Sequence, residues 1–157
     1  MHNTGLQAGG RRSIMKMVVG SDHAGYDMKL AVCEHLKERG FEIVDVGTYS
    51  TDSVDYPVYG KACGEALMEG KGDLGMVFCG SGIGISMAAN KVKGVRCALV
   101  TSVEMAKLAK QHNNANILAI GGRLTDVETA IAMTDAWLDE TFMGNQHTRR
   151  IEMLNEM

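Results

Sequence analysis

The sequence is sparing with proline: Pro57 is the only one, and neither an internal repeat nor a long linker interrupts the chain. That leaves one domain and no string of modules. Cysteines are few and scattered, at positions 33, 63, 79 and 97, with no C-x-x-C pair. The spacing suits neither a zinc site nor a disulfide framework, and it points to a reducing cytoplasm. Long apolar runs are missing as well. The longest, such as Cys97 to Val100 and Ile117 to Ile120, are far too short to span a bilayer, so no membrane role is expected. Nor is there a basic excess. A net charge of −3 leaves nothing to neutralise the phosphates of a nucleic acid.

What the chain does hold is ordinary for a globular protein. Its 157 residues are enough to bury a substantial core, with 45% hydrophobic and 22% charged residues. Met1 to Ile14 stands apart, carrying Gly5, Gly9, Gly10, Arg11 and Arg12 without apolar periodicity or the apolar centre of a signal peptide. This stretch reads as a disordered tail or an artificial extension, with one domain over residues 15–157.

From Met15 onward, short apolar runs alternate with amphipathic segments. The runs are Met17–Val19, Ile43–Val46, Met76–Phe78, Ala98–Val100 and Ile117–Ile120, each brief and apolar on both faces, as buried parallel strands are. Helical stripes fall between them. Tyr59, Ala62, Cys63, Ala66 and Leu67 form one; Met105, Leu108, Ala109 and His112 another; Val127, Ala130, Ile131, Thr134, Trp137 and Leu138 a third. Gly40 stands where a helix C-terminal cap belongs. The alternation predicts an α/β, doubly wound, Rossmann-like parallel sheet of five strands flanked by helices. Ligands of such sheets lie beyond the carboxyl ends of the strands.

After the first strand comes Gly20-Ser21-Asp22-His23-Ala24-Gly25. A dinucleotide fingerprint wants glycine where Asp22 stands, and a carboxylate there repels a pyrophosphate. Asp22 and His23 read as polar groups aimed at a small ligand; the alternative is a helix N-cap aspartate beside a surface histidine. After the third strand comes Cys79-Gly80-Ser81-Gly82-Ile83-Gly84, leading to a helix expected to begin near Ile85. Glycines at 80, 82 and 84 let backbone N–H groups turn inward to hold an anion, either a phosphate or an oxyanion formed in reaction. The loop lacks the Gly-Lys-Ser/Thr of a Walker motif. Cys79 sits at its mouth, where inward N–H groups and a helix start favour a thiolate able to act as nucleophile or base. Its alternative is a small core residue ending a strand, the reading given to Cys33, Cys63 and Cys97. His112, in Gln111-His112-Asn113-Asn114-Ala115-Asn116, is either a core histidine or the edge of a polar pocket. Arg123 follows the fifth strand, and His147, Arg149 and Arg150 precede the last helix. These guanidinium groups are either phosphate ligands or a solvated surface.

Together, Gly20 to Gly25, Val54-Asp55-Tyr56-Pro57, Cys79 to Ser86 with Ala88-Ala89-Asn90-Lys91, and Gln111-His112-Asn113 resemble the type B ribose-5-phosphate isomerase family. That family includes galactose-6-phosphate and allose-6-phosphate isomerases. The likeness runs from about Met15 to Leu154. It implies aldose–ketose isomerisation through a cis-enediolate, with Cys79 removing the proton α to the carbonyl and the loop Gly80, Ser81, Gly82, Ile83 and Gly84 steadying the intermediate. It further implies ring opening by Asp22 and His112, sugar binding by Asn113, and phosphate binding by His23, Arg123 and Arg150. Neither cofactor nor metal is implied. The expected assembly is a homodimer or homotetramer with sites at the subunit interface, so that Arg123, His112 and the C-terminal arginines serve a partner's pocket. One position departs from the pattern: Gln146 stands where the family commonly has a phosphate-binding arginine, with Arg149 close by. The rival readings are an isomerase of a six-carbon or four-carbon sugar phosphate, and a non-catalytic nucleotide-binding module.

Overall fold

The computed structural model describes residues 14–157. The expected tail therefore lies outside the described residues except for Ile14, which is exposed and precedes the first strand. Among the described residues five strands alternate with five helices and a sixth helix follows: β1 (Lys16–Ser21), α1 (Tyr26–Glu38), β2 (Glu42–Asp45), α2 (Tyr56–Met68), β3 (Leu74–Cys79), α3 (Ile83–Asn90), β4 (Cys97–Leu99), α4 (Val103–Gln111), β5 (Ile117–Gly121), α5 (Val127–Asp139) and α6 (Gln146–Glu156). The strands form one parallel sheet in the order β2-β1-β3-β5-β4, so the expected doubly wound architecture is present.

Side-chain alternation explains why the three inner strands read as unbroken apolar runs. Met17, Val19, Met76, Phe78, Leu118 and Ile120 project to one face, where they pack with Met28, Val32 and Leu36 of α1 and Ala130, Met133 and Trp137 of α5. Val18, Val77, Cys79, Ile117 and Ala119 project to the other face, against Cys63, Ala66 and Leu67 of α2 and Ile85 and Ala89 of α3. Both faces are dry, which removes the polar alternation of a half-exposed strand. The edge strands differ from expectation. β2 runs from exposed to half-buried, and β4 is half-buried throughout, because each has a neighbour on one side only.

Two helical stripes also need correction. In α4 the buried positions are Ala106 and Ala109, while Met105 is exposed. In α5, Ala130, Thr134, Trp137 and Leu138 are buried as expected, together with Met133, but Val127 is exposed in the first turn. The polar atoms carried inward on α5 find partners: Thr134 Oγ1 donates to the Ala130 carbonyl at 2.7 Å and Trp137 Nε1 to the Ala115 carbonyl at 3.1 Å. Gly40 follows α1 with φ +94°, the left-handed cap that glycine adopts at least cost. Among the described residues no helix is long and apolar enough to cross a membrane.

Candidate active site

Chain order and strand order diverge between β1 and β3. β1 leads to β2 on one side but pairs with β3 on the other. Helices leaving these two strands depart to opposite faces and open a crevice at the carboxyl ends. The register places Ser21 beside Phe78, and Cys79 beside Gly121. The residues that follow each strand, Asp22-His23, Gly80–Gly84 and Gly122-Arg123, are thereby brought to one rim.

Close approach of backbones makes this possible. A side chain on Gly25 would collide with the Phe78 carbonyl carbon and oxygen, so only glycine lets the start of α1 lie against the end of β3. Asp22 closes that turn, its Oδ1 accepting the Gly25 N–H at 3.0 Å, and its own N–H donates to the Phe78 carbonyl at 3.2 Å. The N-cap reading of Asp22 is thus close, one turn early: Gly25 is the N-cap of α1. Asp22 also lines the cleft.

The glycine loop turns at Gly82, with φ +79°, and α3 begins at Ile83, two residues earlier than expected. The left-handed turn points the Gly82 N–H at Cys79 Sγ, 3.2 Å away. Cys79 is only 4% exposed and packs against the α2–α3 face, yet it lines the cleft. Ser81 Oγ accepts the Ile83 N–H at 3.2 Å, which leaves its own proton free for an outward acceptor. The loop is pinned from the β5 side: Gly122 N–H donates to the Cys79 carbonyl at 2.7 Å, and Arg123 N–H to the Gly80 carbonyl at 2.9 Å.

The other cysteines sit in contrasting surroundings. Burial, with the Asp45 charge next, pushes the Cys33 thiol up to about 11. Burial pushes Cys63 up to about 12, despite a weak bond toward the Met76 carbonyl, and raises Cys97 too. All four are free thiols. No group of three or more His, Cys, Asp or Glu side chains among the described residues is arranged to hold a metal ion.

The resulting cleft has a volume of about 720 Å³, within the usual range of small-molecule sites. Asp22, His23, Cys79, Gly80, Ser81, Ile83, Gly84 and Arg123 line it, as do Ala24, Tyr56, Met87 and Leu124. Arg123 therefore lines its own chain's cleft, where the expectation gave it to a partner's. The sequence reading assigned no role to Tyr56, Met87 or Leu124. Tyr56 was within reach, lying in the quoted Val54–Pro57 motif; its ring packs where a side chain on Gly84 would otherwise stand.

His112, Asn113 and Arg150 do not line this cleft. His112 caps the C-terminus of α4, half-buried, and its ring stacks on His147 with centroids 4.4 Å apart and planes 13° from parallel. It is not a core histidine. Desolvation, then the charges of His112 and Arg150, lower the His147 pKa. Arg96, another residue the sequence reading passed over, holds this region together. Its guanidinium donates to the carbonyls of Asn113 and Asn114 at 3.2 and 2.9 Å and to Asn155 Oδ1 on α6 at 2.6 Å. The asparagine cluster serves the backbone too: Asn116 Oδ1 accepts the Arg96 N–H at 2.7 Å, and its Nδ2 donates to the Gly94 carbonyl at 3.0 Å. One chain therefore presents two separate groups of the expected residues.

Known proteins share this fold. The family described as Ribose/Galactose Isomerase matches residues 17–154. The chain is 40% identical over 139 residues to ribose-5-phosphate isomerase B of Escherichia coli, covering 88% of this chain and 93% of that protein. It is also 40% identical over 137 residues to the galactose-6-phosphate isomerase subunit LacB of Clostridium acetobutylicum, covering 87% and 79%. A solved ribose-5-phosphate isomerase B from Mycoplasma genitalium, with bound ribulose-5-phosphate, matches with a TM-score of 0.84 and 39% identity, covering 90% of this chain and 94% of the other. Agreement of this extent in both sequence and backbone leaves one conclusion: the chain is an isomerase of the ribose/galactose isomerase family.

Proposed function

We propose that the chain interconverts ribose 5-phosphate and ribulose 5-phosphate through a cis-enediolate, with Cys79 as general base. The observation that carries the base assignment is the Gly82 N–H directed at Cys79 Sγ from within a glycine loop that lines the same cleft as Asp22 and Arg123. A donor on sulfur favours the thiolate. The thiolate takes the proton from the carbon next to the carbonyl, and the released electron pair moves onto the carbonyl oxygen. Backbone N–H groups of the loop and the Ser81 hydroxyl are placed to donate to that oxygen as charge develops. The proton of the neighbouring hydroxyl passes to the former carbonyl oxygen, and return of the thiol proton to the former carbonyl carbon completes the isomerisation and regenerates the thiolate. Arg123 supplies positive charge for the phosphate, with His23 beside it. Ring opening falls to Asp22 and His112, and sugar contacts to Asn113.

His112, Asn113 and Arg150 lie outside the cleft of their own chain, so in this reading a second copy supplies them and the working unit is at least a homodimer. The free cysteines suit a reducing cytoplasm. A coupled assay with ribose 5-phosphate in the presence of a strong chelator tests the core of the proposal. Turnover that survives chelation supports it; loss restored by a single divalent ion overturns it.

A six-carbon sugar phosphate is the second reading, favoured by the likeness to a galactose-6-phosphate isomerase subunit and by Gln146 at the start of α6. Comparing kcat/KM for five-carbon and six-carbon sugar phosphates in the wild type and in Gln146→Arg separates the two. If the substitution weakens ribose 5-phosphate binding but spares a six-carbon substrate, the ribose reading falls.

A further inference from the structure

The Val54-Asp55-Tyr56-Pro57 motif, to which the sequence assigned no chemistry, meets His23 in the fold. The backbone N–H of Val54 donates to His23 Nδ1 at 3.1 Å. An amide N–H has a proton to give and no lone pair to receive one, so Nδ1 must present its lone pair there. The ring proton is then on Nε2.

Both ends of the β2–α2 connection, which carries Val54, are held. At its start the Ser21 N–H donates to the Gly47 carbonyl at 2.6 Å, and the Thr48 N–H donates back to the Ser21 carbonyl at 2.7 Å. The ammonium of Lys29, 0% exposed, donates to Asp45 Oδ1 at 2.8 Å and to the Thr48 carbonyl at 2.5 Å. At its end Asp55 is the N-cap of α2, with Pro57 in the first turn. Strand β1 thus holds the connection on one side and α2 on the other, with His23 between.

We propose that His23 enters the cleft as a neutral imidazole that donates from Nε2 to an anionic oxygen of the substrate, its tautomer set by the Val54 amide. Positive charge for the anion then comes from Arg123, and His23 contributes direction. This rests on the sugar-phosphate reading of the cleft.

The test is nitrogen-resolved NMR of the full-length chain with ¹⁵N-labelled histidine at about pH 8, recorded alone, with inorganic phosphate and with ribose 5-phosphate. His23 should show an unprotonated Nδ1 and a protonated Nε2, and added phosphate should shift Nε2 while Nδ1 stays unprotonated. A doubly protonated ring in the complex, a proton on Nδ1 in the free protein, or an Nε2 that ignores phosphate would each overturn the assignment. Two variants give a second readout by calorimetry. His23→Gln keeps a donor near the Nε2 position, whereas His23→Asn keeps only an acceptor for Val54. Affinity for ribose 5-phosphate should fall about 10-fold or less in the first and by roughly 10- to 100-fold in the second. Equal losses or the reverse order would count against the proposal. A phosphate-linked Nε2 shift in a protein that turns over no sugar phosphate would refute the isomerase reading and support this one.

Discussion

The cleft at the ends of β1 and β3 and the outer region around the α4–β5 turn and α6 are built on different principles. The cleft is set by strand register: the residues after β1, β3 and β5 meet because their strands pair side by side, and backbone hydrogen bonds from Gly122 and Arg123 fix the loop. The outer region is set chiefly by side chains, with Arg96 gathering the carbonyls of Asn113 and Asn114 and Asn155 around the turn that carries His112 and Asn113, and Asn116 tying the backbone beside it. The first is a preformed cavity; the second is a polar face with stacked imidazoles and an exposed Arg150. The contrast teaches that the residues of the proposed site are divided between two surfaces of one chain. A closed two-fold pairing can bring unlike surfaces of two chains together.

The largest expected effect is in the cleft. Cys79→Ala should lower turnover by about 10²–10⁴, the usual cost of losing a general base, while thermal melting shows the fold retained. In the wild type, mass-spectrometric mapping of alkylation should find Cys79 labelled before Cys33, Cys63 and Cys97, whose thiols burial holds protonated. Labelling of any of those three first would remove the thiolate assignment.

Mixing two inactive variants sharpens the division itself. If each site takes Cys79 from one chain and His112 from another, refolding Cys79→Ala together with His112→Ala should restore about a quarter of wild-type activity, since random pairing gives half heterodimers with one intact site each. A site confined to one chain would stay silent in the mixture.

A smaller effect is expected at Arg96. Arg96→Ala removes charge-assisted bonds worth roughly 1.5–3 kcal/mol each at most, and it loosens the turn bearing His112 and Asn113. KM should rise and the melting temperature should fall, while alkylation of Cys79 proceeds at the wild-type rate. A change in Cys79 reactivity would show that the two regions are not independent.

The smallest effect lies far from both, between α1 and α5, where His35 Nε2 and Arg39 each meet Asp135 Oδ1 at 2.7 Å. Burial raises the carboxyl, but the hydrogen bonds from His35 and Arg39 outweigh it and hold Asp135 below its ordinary value. A depressed acid contributes stability above its unfolded value of about 3.9 and loses it as pH falls through the folded value. Asp135→Asn should therefore cost no more than about 1 kcal/mol at neutral pH, because the pair is partly exposed. Denaturant melts of the two proteins should converge as pH drops below 4.

Much of the fold was legible because inner strands buried on both faces announce themselves as short apolar runs. β1, β3 and β5 were found to within two residues at each end. Boundaries were less legible. Gly82 and Gly84 read as loop, yet α3 starts between them, since a left-handed residue can cap a helix that tertiary contacts extend. Lys29 is the clearest case of a residue beyond sequence reasoning. A lysine on a helix reads as solvated, and only the fold shows it fully buried, its ammonium shared by Asp45 and the Thr48 carbonyl.

The sequence by itself determined the layered α/β architecture, through periodicity, and the chemical make-up of the strand ends, through the motifs at 20–25 and 79–84. These are local properties, set by residue type and spacing along the chain. Only the tertiary structure decided which of the candidate residues share a cleft. The order β2-β1-β3-β5-β4 puts β3 between β1 and β5, so Asp22, 57 positions before Cys79, and Arg123, 44 positions after it, line one cleft with Cys79, while His112, only eleven positions before Arg123, is carried by α4 to another face. Proximity in the fold follows strand pairing and helix direction, which depend on the whole chain at once.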